Sequence, residues 1–115
     1  MALMSSAVMV NLDVLGRIGV ALADETRRRL LAALLDAPAY PAELADQLGL
    51  TRANVSNHLA CLRGCGLVAT QQEGRRVRYE LADARLAAAI HQLLHVVLTI
   101  DPDGCPAAAA GDDCC

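Results

Sequence analysis

The 115-residue chain contains no Phe, no Trp and no Lys, and its aromatic content is 2%, all of it Tyr. Without large rings, a core must be assembled from Leu, Val, Ile and Ala. The length suffices for one modest domain rather than two, and so small an aliphatic core often gains stability by dimerising. No run of about 18 uninterrupted apolar residues is present, so no membrane span is indicated. Met1 to Val10 is apolar but lacks a basic leader, and Asn11 and Asp13 follow; it reads as the approach to a helix rather than a secretion signal. There is no Gly-rich phosphate loop, no H-E-x-x-H and no G-x-S-x-G, so the sequence does not read as an enzyme.

The formal net charge is -3, and every cation is Arg. An acidic chain is a poor first candidate for binding nucleic acid, but the distribution reverses that impression. Residues 51–80 hold five arginines against two glutamates, a local net of +3, while the remaining residues carry five arginines against eleven acids. Five cysteines in a chain with no leader predict a reducing cytoplasm and free thiols. Their odd number also fits poorly with a closed disulfide framework.

Periodicity predicts a mainly α chain. Leu12, Leu15, Ile18 and Leu22 mark a first helix over 11–22. Asp24 is placed to N-cap a second, whose stripe is Leu30, Leu31, Leu34 and Leu35, ending at Ala37-Pro38. Pro41 leads a short third helix, Ala42 to Leu48, closed by Gly49. Thr51 then N-caps a fourth, with Val55, Leu59 and Leu62 as its buried stripe and Gly66 as its stop. Helix, Gly-containing turn, helix is the helix-turn-helix pattern, whose second helix enters the major groove. Leu67–Gln72 and Arg76–Leu81 read as two strands joined at Glu73-Gly74, a wing. A long last helix through Leu98 is apolar on most sides, as if buried all round. The expected architecture is a winged helix-turn-helix of five or six helices that dimerises through its N- and C-terminal helices. Residues 1–100 form the domain, followed by a flexible Cys-containing tail, 101–115.

Two sets of residues carry chemistry. Thr51, Arg52, Asn54, Ser56, Asn57 and His58 crowd the first half of the fourth helix with groups that meet base edges and phosphates, and Arg63, Arg75, Arg76 and Arg78 suit phosphates. Their partner is double-stranded DNA. Cys61 and Cys65, four apart, stand one turn from each other on one helix face. They are expected to point away from the Val55/Leu59/Leu62 stripe, able to chelate a soft ion but not to fill its coordination sphere. A third donor comes from Cys105, on a loop after the last helix, or from Cys114 and Cys115 on the tail. Three sulfurs suit Cd(II) or Pb(II) better than Zn(II), which usually completes a tetrahedron. His91 and His95, also four apart, read as interface residues before metal ligands.

Four stretches, Ala21–Leu31, Glu43–Thr51, Val55–Val68 and Glu73–Leu81, resemble the ArsR/SmtB family of winged-helix metal-sensing repressors. The string Cys-Leu-Arg-Gly-Cys over 61–65 is similar to the cadmium/lead-sensing CmtR-type subgroup. The resemblance implies that Cys61, Cys65 and Cys105 bind the metal. It also implies a cytoplasmic homodimer whose apo form holds a palindromic operator and releases it when metal binds. A thiol-redox regulator is the alternative, and a metal-buffering protein a third reading.

Overall fold

The computed structural model describes residues 6–101, 103 and 104, with side chains described from residue 11 onward. It contains α1 (Ser6–Ala23), α2 (Glu25–Asp36), α3 (Pro41–Leu48), α4 (Arg52–Gly64), β1 (Val68–Glu73), β2 (Arg76–Leu81) and α5 (Ala84–Leu94). Cys105, Cys114 and Cys115 lie outside the described residues, as does the tail expected to be flexible apart from Asp101, Asp103 and Gly104.

The caps follow from local chemistry. Asp24 Oδ2 accepts the Arg27 N–H at 2.9 Å at the start of α2, and Thr51 Oγ1 accepts the Asn54 N–H at 3.1 Å at the start of α4. Each satisfies a backbone donor that a helix start leaves unpaired. Gly49 ends α3 at φ 66°, a left-handed conformation that glycine adopts without a Cβ penalty. That single residue makes the sharp turn between α3 and α4. Arg29 steadies the same corner by donating from Nη2 to the Leu48 carbonyl at 2.6 Å.

The core is aliphatic, as the composition requires. Leu30, Leu31, Leu44, Val55, Leu59 and Leu62 are fully buried, joined by Leu67, Val68 and Ile90. One charged residue sits among them. Arg27 is 2% exposed, with Nε donating to the Ala21 carbonyl at 3.2 Å and Nη2 to the Val20 carbonyl at 3.0 Å. A buried guanidinium is tolerated when its donors are satisfied, and here it fastens the end of α1 to α2. Arg28 adds a third tie, Nη1 to the Leu22 carbonyl at 2.8 Å.

The wing is an antiparallel hairpin whose strands pair from Val68↔Leu81 to Glu73↔Arg76. Both the first strand and the turn sit one residue later than the sequence suggested: Glu73 closes β1 and Gly74-Arg75 form the turn. Ala39 lies beside β2 as an isolated bridge, with Ala39 N–H to Tyr79 O at 3.0 Å and Tyr79 N–H to Ala39 O at 2.8 Å. The approach to α3 is thereby stitched to the wing.

The last helix departs from expectation. α5 ends at Leu94 rather than Leu98, and the His95 N–H turns back to the Gln92 carbonyl at 3.1 Å. Val96, Val97, Thr99 and Ile100 are β-branched and give up side-chain freedom in a helix, which favours stopping there. Nor is α5 buried all round. Ile90 is enclosed, but Leu93 and Leu94 are exposed, as are Leu12, Val14 and Leu15 of α1. The first and last helices therefore each carry an uncovered apolar surface.

Candidate functional site

α4 presents two faces. Val55, Leu59 and Leu62 are buried, while Arg52, Ser56 and Asn57 are exposed and Asn54 is half-buried. Thr51, exposed at the N-terminus, holds the helix start, so its hydroxyl is committed to the cap. Arg63 is exposed in the last turn. The exposed face thus gathers a cation, a hydroxyl and amides at the end where a helix dipole also favours phosphate. These groups match base edges and backbone phosphates.

His58 does not join that face as expected. It is half-buried, with Nδ1 4.0 Å from Asp24 Oδ2, turned toward the α1–α2 corner rather than outward. On the wing, Arg75 and Arg76 are exposed near the tip, whereas Arg78 is tied down. Its Nη2 donates to Gln71 Oε1 at 2.7 Å, and Nη1 lies 3.6 Å from Glu73 Oε2. Tyr40 completes this cluster. Its hydroxyl donates to Glu73 Oε1, and the Arg76 guanidinium carbon stands 3.3 Å above its ring centroid, a cation–π geometry. The hydrogen bond to Glu73, foremost, raises the Tyr40 phenol above its ordinary value of 10.0.

Sequence reasoning missed Tyr40, Glu73, Gln71 and Asp24 in these roles. Strand alternation had a usable signal, since period two puts Gln71, Glu73, Arg76 and Arg78 on one face of the hairpin. Tyr40 had none, because only the folded chain brings it to the wing.

The cysteine pair differs from expectation in two respects. Cys61 is buried, 6% exposed, and Cys65 is half-buried against the core; neither points freely away from the apolar stripe. The chain turns sharply just beyond the pair. At Gly66, φ 84°, it folds back, the Leu67 N–H bonds the Leu62 carbonyl at 3.0 Å, and Leu67 and Val68 enter the core around the end of α4. Cys65 is the C-cap of α4 rather than a residue inside it, and its N–H still bonds the Cys61 carbonyl at 3.0 Å. Secondly, Cys61 and Cys65 are joined as a disulfide where free thiols were expected. Residues four apart on a helix stand about 6 Å apart, within disulfide reach.

The donor set is tested by its chemistry. Reduced, the pair supplies two thiolates held by one helical turn, a fit to soft cations. Among the described residues no group of three or more His, Cys, Asp or Glu is arranged to hold an ion. His91 and His95 are exposed with ring centroids 4.7 Å apart, and His95 Nδ1 is 2.8 Å from the His91 carbonyl.

Comparison with known proteins agrees with this fold. The family described as "Bacterial regulatory protein, arsR family" matches residues 24–70, the segment from the α2 cap through the recognition helix into the wing. The HTH-type transcriptional regulator CmtR of Mycobacterium tuberculosis is 63% identical over 89 residues, 77% of this chain and 75% of that one. The NMR structure of the cadmium metal-sensor CmtR from that organism superposes with a TM-score of 0.63 at 62% identity, covering 76% of this chain and 92% of its own. The homodimeric winged helix-turn-helix DNA-binding domain Mb0332 of Mycobacterium bovis superposes with a TM-score of 0.72 at 29% identity, covering 82% and 87%. On the shared helix-turn-helix and the identity to a regulator over three quarters of its length, the chain belongs to the ArsR family of bacterial regulatory proteins.

Proposed function

We propose that this family member is a metal-responsive repressor. Its apo form binds operator DNA as a homodimer and lets go when Cd(II) or Pb(II) is taken up by cysteine thiolates. The carrying observation is the location of the cysteines: Cys61 lies in the last turn of the recognition helix and Cys65 caps it. Cys105 is the proposed third donor, with Cys114 and Cys115 in a lesser role. Thiolates select soft ions, so Zn(II) should bind less well than Cd(II) or Pb(II) with this donor set. The bound ion supplies a fixed positive centre and nothing redox-active. The work is done by the chain. When Cys61 and Cys65 reorient toward a donor beyond α5, the end of α4 packed on Leu67 and Val68 must repack, and Arg52, Asn54, Ser56 and Asn57 move with their helix. The exposed apolar surfaces of α1 and α5 support pairing of two copies, and a winged helix-turn-helix relative is homodimeric. Two recognition helices then meet two half-sites of a palindrome. A cytoplasmic location is part of this reading.

The Cys61–Cys65 disulfide favours a second reading, a thiol-redox regulator. Anaerobic titration of the reduced protein with Cd(II) separates the two. The metal reading expects thiolate-to-metal absorbance saturating at one ion per site, with release of the protein's own promoter DNA in the same range. A reduced protein that keeps its DNA at every Cd(II) concentration, and drops it on oxidation, would establish the redox reading instead.

A further inference from the structure

The wing carries three arginines but does not offer three equivalent charges. Gln71, Glu73, Arg76 and Arg78 share one face of the hairpin. On that face Glu73 Oε2 is 3.6 Å from Arg78 Nη1, and Glu73 Oε1 accepts the Tyr40 hydroxyl. Arg78 is further held by Gln71 at 2.7 Å; its Nε is buried without a hydrogen-bond partner, and the side chain as a whole is 32% exposed. Arg75, by contrast, is exposed in the turn, and Arg76 is exposed on its outer side while resting on the Tyr40 ring. Tyr40 is itself fixed. It is the N-cap of α3, its N–H donates to Glu43 Oε1 at 3.1 Å, and its neighbour Ala39 is bridged to Tyr79.

We infer that Glu73 is a built-in counter-ion of the wing, held in place by Tyr40, so that Arg78 is neutralised within the protein and the phosphate contacts fall to Arg75 and Arg76. The inference rests on the reading that the wing meets DNA. A phosphate approaching Arg78 must displace a carboxylate that already has a second partner, whereas one approaching Arg75 displaces only water and counter-ions. Affinity is thereby held below what three free arginines would give, which keeps the complex within reach of a modest releasing signal. Tyr40 acts as a positioning residue: it aims Glu73 and supports Arg76 without touching DNA.

The test measures binding of the full-length reduced protein to a mixed-sequence duplex over a range of salt. Each phosphate neutralised contributes about 0.9 to the slope of log K against log salt. Glu73→Gln keeps an oxygen to accept from Tyr40 but removes the charge. It is expected to bind several-fold tighter with a slope steeper by about 1.8, about 0.9 from each wing of the dimer. Arg75→Gln should flatten the slope by about the same amount, Arg78→Gln should leave it unchanged, and Arg78→Gln combined with Glu73→Gln should abolish the gain. Tyr40→Phe, which keeps the ring under Arg76, should fall between the unsubstituted protein and Glu73→Gln. The inference is overturned if Glu73→Gln binds no tighter with an unchanged slope, or if Arg78→Gln alone flattens the slope as much as Arg75→Gln. Failure of the unsubstituted protein to bind any duplex would remove the DNA-binding reading itself, and this inference with it.

Discussion

Nδ1 of His58, on the recognition helix, stands 4.0 Å from Oδ2 of Asp24, the oxygen that caps α2. One carboxylate therefore starts α2 and faces a side chain of α4, at the corner where Arg27 and Arg28 bind the last carbonyls of α1. The corner connects a helix with uncovered apolar surface to the helix proposed to face DNA.

Substitutions at Asp24 separate its two duties. Asp24→Ala removes the cap and should cost about 1 kcal/mol of stability, within the usual ~0.5–2 range. Asp24→Asn, an equally good cap, should cost a few tenths at most. Denaturant midpoints at constant m-value check both.

His58→Ala should weaken operator binding less than Asn57→Ala. The Asn57 side chain is exposed on the outward face, where a good base contact is worth about 1–3 kcal/mol. His58 instead supports a partly exposed pair of at most about 1 kcal/mol. Equilibrium titration with operator DNA would rank the two, and a larger loss at His58 would return it to the reading surface.

Tyr40 gives an optical signature. Its phenol is raised above 10.0, chiefly by the hydrogen bond to Glu73. Tyrosinate absorbance should therefore show a component titrating above the ordinary value, absent in Tyr40→Phe and moved down in Glu73→Gln. For stability the sign follows from linkage. The folded state holds this proton more tightly than the unfolded one. Its contribution is fully present below the unfolded value near 10 and is lost as pH rises through the raised folded value, so alkaline unfolding should come earlier in Glu73→Gln.

Pairing of two copies can be broken at the uncovered surfaces. Leu15 is 63% and Leu94 61% exposed in the single chain. Burying a leucine is worth about 1.5–3 kcal/mol, so Leu15→Asp or Leu94→Asp should weaken dimerisation at least about tenfold. Sedimentation equilibrium would show it, and operator affinity should fall in parallel.

Much of this was legible in the residues alone. Asp24, Thr51 and Gly49 act through local backbone chemistry, which a few neighbouring letters specify, and the boundaries of α2, α3, α4 and the hairpin followed within a residue or two. The outer helices did not: α1 begins at Ser6 rather than Asn11 and α5 ends at Leu94 rather than Leu98. Three further features were not legible. The burial of Cys61 belongs to the folded chain, since a helical wheel sets this residue off the Val55/Leu59/Leu62 stripe. The inward turn of His58 depends on Asp24, thirty-four positions earlier in the chain. The wing's internal neutralisation needs Tyr40, brought from the start of α3 by the Ala39–Tyr79 bridge. The last two are long-range contacts, which local patterns do not specify: alternation puts the wing residues on one face but does not bring Tyr40 to it.

The central claim is that Cys61 and Cys65 transmit metal binding to the recognition helix. Its most direct test is operator release by Cd(II), measured anaerobically under reductant, for the unsubstituted protein and for Cys61→Ser and Cys65→Ser. The account predicts that Cd(II) weakens the unsubstituted complex by a typical coupling of about 1–3 kcal/mol, or ~5–150-fold, with DNA weakening Cd(II) binding by the same factor. Both substitutions should still bind operator and fail to release it. If both release it as the unsubstituted protein does, the assignment of the sensing site to Cys61 and Cys65 is wrong.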